Sequence, residues 1–426
     1  MRKTTIEKRS FLIKITSVII LFVLLCGVSF AKPVTVRVAL LHNQYAVKIS
    51  NSNGLTAKDA YELKKITKSP KNIVVKVYKG KIYVNKIQTN SKFVYIVSKN
   101  IHHTTYLNGV PYRGYYLVGF NNRGRLQVIN YVSLEDYIAG VLGGEVSSRW
   151  PAESLKTQAV AARTYVMYKL TQSKDKVYDV VNDTGDQMYI GVRGESAKFR
   201  RVVKQTSSQI LTRGGNVICT YYHSNCGGGT SDSWNVFKKD RGGLTGVKCP
   251  YCAGAPNSSW GKTLYTDTIR YRLKKNGYNI GKIFSMKPYS KGKLKRIIYL
   301  EIKHSYGTSY VFASEFRRIM GYRTIKSTKF DVYPKRYITY RHTKKIAVSR
   351  GGVALTSSAI GGTFRSASKK LQVPTYFYFS GAGWGHGVGM CQWGARGMAL
   401  DGYNYKQILM HYYPGTKITK AGEEKN

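Results

Sequence analysis

Acidic residues are scarce in this chain. Its 426 residues include 21 Asp and Glu against 69 Lys and Arg, a formal charge of +48. So few carboxylates make calcium cages and acidic two-metal centres poor candidates for its chemistry. No Ser-His-Asp arrangement, HExxH pair or nucleophile motif is present, and there is no repeat at solenoid periods. Cysteine is limited to six. Beyond Cys26 the number is odd, so full disulfide pairing would leave one thiol over. A content of 42% hydrophobic and 13% aromatic residues argues against disorder, and the length allows two or three domains.

A surface this basic seeks a polyanion, and the N-terminus bears on which one. Arg2, Lys3, Lys8 and Arg9 precede an apolar run, interrupted by Lys14, that continues from Ile15 to Phe30 and ends at Ser29-Phe30-Ala31. This is the pattern of an export signal; the alternative is an uncleaved membrane anchor within residues 11–31. Either way the body is exported and belongs to the cell envelope, secreted or anchored facing outward. Without residues 1–31, five Lys/Arg and one Glu fewer, it carries +44. Nucleic acid is then a poor partner, and anionic envelope polymers such as peptidoglycan or teichoic acid are better ones.

From Val34 onward short strands alternate with turns, and Asn121-Asn122-Arg123-Gly124 marks a hairpin. Ser133, followed three residues later by Asp136, caps a short helix that is expected to run out at Gly143-Gly144. A second helix starts at Pro151, with Leu155, Ala159, Ala162, Val166 and Leu170 along one apolar stripe and Arg163 inside it. Residues 262–350 carry 23 Lys/Arg against four acids, a density that favours a polymer-binding surface over a merely solvated face. Helices are expected over 314–320, 390–400 and 405–412.

Three constellations bear on chemistry. His223-x-x-Cys226 and Cys249-x-x-Cys252 have the spacing of two ligand pairs converging on one tetrahedral, structural Zn²⁺, with disulfides as the alternative. Glu145, after two glycines, is a carboxyl that a cleft could present, and Arg163 in its apolar stripe needs a carboxylate partner; spacing alone favours a structural ion pair. Gly381-Ala-Gly-Trp-Gly-His-Gly-Val-Gly-Met-Cys-Gln-Trp-Gly lacks the Lys-Ser/Thr of a nucleotide loop. It is either a surface where Trp384, His386 and Trp393 meet a sugar or a tightly packed turn.

Four segments in order carry a resemblance: Ser133-Leu-Glu-Asp-Tyr-Ile-Ala-Gly-Val-Leu-Gly-Gly-Glu-Val, Trp150-Pro-Ala-Glu-Ser-Leu-Lys-Thr-Gln-Ala-Val-Ala-Ala-Arg-Thr-Tyr, Tyr222-His-Ser-Asn-Cys-Gly-Gly-Gly-Thr and Gly385-His-Gly-Val-Gly-Met-Cys-Gln-Trp-Gly-Ala. They resemble the stage II sporulation protein D family, which also contains proteins described as amidase enhancers. The resemblance implies a peptidoglycan lytic transglycosylase that cuts peptide-stripped glycan strands between N-acetylmuramic acid and N-acetylglucosamine. Its catalytic acid falls on Glu145, although Gly143-Gly144 replace the commoner Pro-Ser before it. Arg163 belongs to the same cleft by resemblance, and Gln158, Tyr165, His386 and Gln392 are further candidates for holding the sugar. Structural zinc on His223, Cys226, Cys249 and Cys252 fits the family as well. The alternative is a non-catalytic wall-binding module that stimulates a separate amidase; an envelope sheath protein or adhesin is a third reading.

The expected fold is α+β, a strand-rich body with a few helices around a substrate cleft, in two lobes. Residues 32–112 are expected to form a strand-rich N-terminal region and 113–261 a catalytic core with the His/Cys site. Residues 262–350 read as a basic strand-rich insertion, and 351–426 as the Gly-rich and helical remainder of the core.

Overall fold

A computed structural model describes residues 34–67, 70–100, 103–240, 242–348 and 363–422. The N-terminal segment expected to be a signal or anchor lies outside them. The fold is mixed α+β, as expected. Among the described residues no helix is long and apolar enough to cross a membrane.

The first part of the chain builds two six-stranded sheets. One runs in the order Val180–Val181, Thr35–Gln44, Leu126–Ser133, Tyr115–Phe120, Phe93–Ser98, Leu55–Asp59. Alternation along these strands decides which residues are inside: Val36 and Val38 are buried on either side of the half-exposed Arg37, and Val94 and Ile96 on either side of the half-exposed Tyr95. The expected hairpin is present, with the Asn121 side chain accepting from the Arg123 and Arg125 amides. Because Tyr115–Phe120 and Leu126–Ser133 pair with strands from before residue 100, the division expected at 112/113 runs through one sheet. The described residues from Thr35 onward form one compact unit.

Helix α1 (Leu134–Glu145) grows directly out of the strand ending at Ser133, whose side chain accepts from the Asp136 amide. Contrary to expectation it does not stop at Gly143. Gly143 packs on the Gly194 backbone and Gly144 on the Met188 carbonyl, so both glycines serve close approach rather than helix breaking. Glu145 is therefore the last residue of the helix. Pro151 caps α2 (Ala152–Thr171), standing one place before the first helical position, and Leu155, Ala159, Ala162, Arg163 and Val166 are all buried along it. Helices α3 (Ala197–Gln205) and the short α4 (Trp234–Phe237) follow.

The basic segment folds around its own core. Ile269 and Leu273 of α5 (Thr266–Lys275) and Phe316, Ile319 and Met320 of α6 (Ala313–Met320) join Leu300 and Ile302 of a three-stranded sheet. This sheet is made of Ile283–Lys291, Ile297–His304 and Gly307–Phe312. The strand Thr363–Gly381 pairs with both Phe330–Val348 and Trp260–Tyr265, so this region reaches Gly381 instead of ending at 350. The chain then returns to the first body. Met390–Cys391 forms a parallel ribbon with Tyr222–His223, and helices α7 (Gln392–Leu400) and α8 (Tyr405–Tyr412) pack into a second cluster with Val160, Leu211, Cys226 and Cys249.

Candidate active site and thiol cluster

The end of α1 is held against a loop and the parallel ribbon. Gly144 lets the Met188 segment come close, and the Met188 N–H donates to Glu145 Oε1 at 2.9 Å. Gln392, the first residue of α7, donates from Nε2 to Oε2 at 3.2 Å, and the Tyr222 hydroxyl also hydrogen-bonds the carboxylate. Gln187 Nε2 donates to the Tyr222 oxygen at 2.9 Å, leaving the phenolic proton for Glu145. Gln187 Oε1 in turn accepts from the Tyr137 hydroxyl at 3.0 Å. Every partner of Glu145 is neutral. Burial pushes its carboxyl above the usual glutamate range, and the three hydrogen bonds only oppose that rise. This is the environment of a carboxyl that keeps a proton to give away.

Of the five residues expected to hold a sugar, two join this acid. Gln392 binds Glu145 directly and touches Gln158 Oε1 at 3.5 Å, while the buried Gln158 Nε2 makes no hydrogen bond. Arg163 does not belong to the site. Its Nη2 and Nε bind Glu135 at 2.6 and 3.0 Å, and Nη1 donates to the Gln209 carbonyl. Glu135 lies in the first turn of α1 and Glu145 in the last, about 15 Å apart along a helix rising ~1.5 Å per residue. The carboxylate that Arg163 needed is thus at the wrong end of α1 for catalysis. Tyr165 is also committed elsewhere, donating to Asp186 Oδ1 at 2.8 Å. His386 has both nitrogens occupied: the Val388 N–H donates to Nδ1, and Nε2 donates to the Tyr222 carbonyl at 2.9 Å. Burial, reinforced by Arg317, holds its pKa down at about 3, so it is a neutral prop for the strand carrying Tyr222.

The glycine alternation around His386 has a packing reason. Gly385 faces the His223 Cβ, Gly387 the Arg296 guanidinium and Gly389 the Tyr221 carbonyl, each with positive φ. Protein atoms fill the space that a sugar reading would leave open at these three positions. Trp384 is partly exposed under Lys326, and Trp393 lies edge-on to Trp150 at 5.1 Å.

Four buried thiols converge nearby: the Sγ atoms of Cys226, Cys249, Cys252 and Cys391 all lie within 4.8 Å of one another. Cys226 follows the ribbon, Cys249 precedes and Cys252 ends the turn Pro250–Cys252, and Cys391 caps α7, its sulfur accepting from the Gly394 amide. The fourth member differs from expectation. His223 pairs with Cys391 across the ribbon; its Nδ1 meets the Val388 carbonyl at 3.1 Å and its buried Nε2 makes no hydrogen bond, but the converging ligand atoms are the four sulfurs, with Cys391 in the place assigned to His223. The five described cysteines are free thiols. Four soft sulfur donors at these separations fit a tetrahedral ion bound at about 2.3 Å per sulfur.

A family model for SpoIID, stage II sporulation protein, matches residues 122–213. An uncharacterized protein of Brachyspira hyodysenteriae is 33% identical over 321 residues, 73% of each chain. The stage II sporulation protein D of Bacillus subtilis is 24% identical over 316 residues, 69% of this chain and 77% of that one. The chain belongs to the stage II sporulation protein D family. The amidase enhancer of B. subtilis is 30% identical over 305 residues, 66% of this chain but 40% of that protein. Within the family region fall α1, α2 and the Glu135–Arg163 pair that ties them, together with Glu145, Gln187 and Met188. Tyr222, Gln392 and the thiols lie beyond it.

Proposed function

We propose that this stage II sporulation protein D relative is an exported peptidoglycan lytic transglycosylase with Glu145 as its single acid and base. The supporting observation is the raised, neutral-partnered carboxyl of Glu145, with no second acid among its partners. In this reaction Glu145 gives its proton to the oxygen linking N-acetylmuramic acid to the next sugar as that C–O bond breaks. The resulting carboxylate takes the proton of the muramyl 6-hydroxyl, whose oxygen closes on C1 to form the 1,6-anhydro ring. No water is consumed, so the second carboxylate of a hydrolase is dispensable. The free amide of Gln158 and the Tyr222 and Gln392 bonds suit the two roles: one polar group for the sugar, two donors that favour the carboxylate once the proton has left.

The glycan strand has a natural resting place on the three-stranded sheet. Tyr289 and Tyr310, 60% and 50% exposed with rings 4.4 Å apart, offer a sugar-stacking face; Lys287 and Lys303 share Glu301 at 3.4 and 4.0 Å, two cations on one acid, which leaves an excess positive charge there for the lactyl carboxylates of a stripped strand. Cys226, Cys249, Cys252 and Cys391 are assigned a Zn²⁺, which with all four positions taken by protein would serve structure and leave no place for substrate.

Mass spectrometry of the products from denuded and from intact peptidoglycan tests the reading. Denuded strands are expected to give anhydro-muramyl ends, with Glu145→Gln inactive yet still wall-binding; ends carrying an added water would refute it. Similarity to an amidase enhancer supports one rival, stimulation of a separate amidase without cutting. That rival would stand if the purified chain left denuded glycan intact but raised the amidase rate.

A further inference from the structure

The interior beside the thiols holds a cation with no acid to answer it. Arg296 is 2% exposed, and an arginine does not shed its charge when buried. Its Nε donates to the Gly229 carbonyl at 3.1 Å, Nη1 to Thr328 Oγ1 at 3.4 Å and Nη2 to the Cys226 carbonyl at 2.5 Å. All three acceptors are neutral, and among the described residues no Asp or Glu forms an ion pair with it. Gly387 lies flat on the guanidinium, where any Cβ would overlap it, so the pocket is shaped around this group. A second cation stands next to it: Lys329, half-buried, donates from Nζ to the Gly227 carbonyl at 2.5 Å. Buried charges persist when they are compensated, and among the described residues the groups that can favour this cation by charge are the sulfurs of Cys226, Cys391 and Cys252.

We propose that Arg296, assisted by Lys329, is the counter-ion of a tetrathiolate metal centre at Cys226, Cys249, Cys252 and Cys391. The proposal rests on the zinc reading above and sharpens it through charge. Two disulfides, or four thiols, are neutral and would leave Arg296 stranded in the interior. A divalent ion with four thiolates carries a net charge of −2, which Arg296 and Lys329 balance. The contact is indirect, through the backbone of Cys226 and Gly227, so Arg296 is a positioning and charge-balancing residue and not a ligand.

The test measures zinc affinity of the full chain by competition with a chromophoric chelator, with Co²⁺ absorption as a check on the sulfur ligands. The native chain is expected to bind one Zn²⁺. Arg296→Met is expected to weaken binding by about 10- to 100-fold while keeping the sulfur-to-cobalt band at saturating metal, and Arg296→Lys to recover most of the loss. If Arg296→Met does not fold, Lys329→Met carries the test, with a loss of about threefold expected from a second-shell charge that is half exposed. Losses below about twofold in whichever variant is measured would overturn the counter-ion role. A native chain with no zinc and two disulfides would overturn the metal reading itself, a separate result.

Discussion

Replacing Glu135 by Gln strands a second buried arginine, and its cost can be worked from the geometry. Arg163 is fully buried and binds Glu135 through two hydrogen bonds, whereas the Glu135 side chain is 34% exposed. Breaking a wholly buried pair costs about 3–5 kcal/mol; water reaching one partner puts this case near the lower end, at about 3 kcal/mol. An unfolding entropy of roughly 2.1 cal/mol/K per residue over about 390 residues gives ~0.8 kcal/mol per degree, hence a fall in Tm of about 4 °C. Thermal and urea denaturation of a double-mutant cycle with Arg163→Met is expected to return a coupling of ~2–3 kcal/mol for Glu135 and Arg163. The corresponding cycle for Glu145 and Arg163, at opposite ends of α1, should give less than ~0.5 kcal/mol. A large coupling to Glu145 with none to Glu135 would refute the assignment of the pair and return Arg163 to the catalytic site.

Three further outcomes are expected. Gly144→Ala would press a methyl into the Met188 carbonyl and separate Met188 from Glu145, so it should lose about 1–3 kcal/mol in urea unfolding along with most glycan cleavage. Unchanged stability would show that the loop has room to spare. Because burial raises the Glu145 pKa, the folded chain holds a proton that the unfolded chain has already released; stability therefore falls as pH climbs from the ordinary glutamate value through the raised one, and cleavage falls with it. Glu145→Gln should flatten that slope in urea unfolding against pH, and parallel curves for the two proteins would contradict it. Metal analysis after purification without chelator should find zinc retained in His223→Ala and lost or weakened in Cys391→Ser, and the reverse pattern would restore His223 as the ligand.

What the sequence made legible was local. Ser133 announces a helix start through a side chain that reaches only three residues ahead, and Val36, Val38, Val94 and Ile96 announce strands by alternation. Cys226, Cys249 and Cys252 were readable because paired ligands sit on tight turns. Cys391 was not, since it arrives from 165 residues away through a two-residue parallel ribbon with no periodicity to detect. The same ribbon delivers Tyr222, which stands beside His223 in a stretch that drew attention for metal binding alone. Arg163 was recognised as needing an acid, but α1 offers Glu135 and Asp136 in its first turn and Glu145 in its last, and the sequence does not say which one it meets. Gly143 and Gly144 carried the signal of a helix end because glycine usually breaks helices; here a neighbouring backbone occupies the room their side chains would take.

The hydrogen bond between Gln392 and Glu145 spans 247 residues, and this separation sets a clock. At roughly 5–20 residues per second of synthesis, Glu145 leaves the ribosome about 12–50 s before Gln392 exists. Throughout that interval the carboxyl lacks the amide from α7, and the ribbon that seats Tyr222 has only one of its two strands. A chain cut short anywhere before residue 390, or threaded through a membrane as an open polymer, carries Glu145 without its setting. The hydrogen bonds that set the Glu145 carboxyl are absent from incomplete molecules and are complete only when the last tenth of the chain has come home.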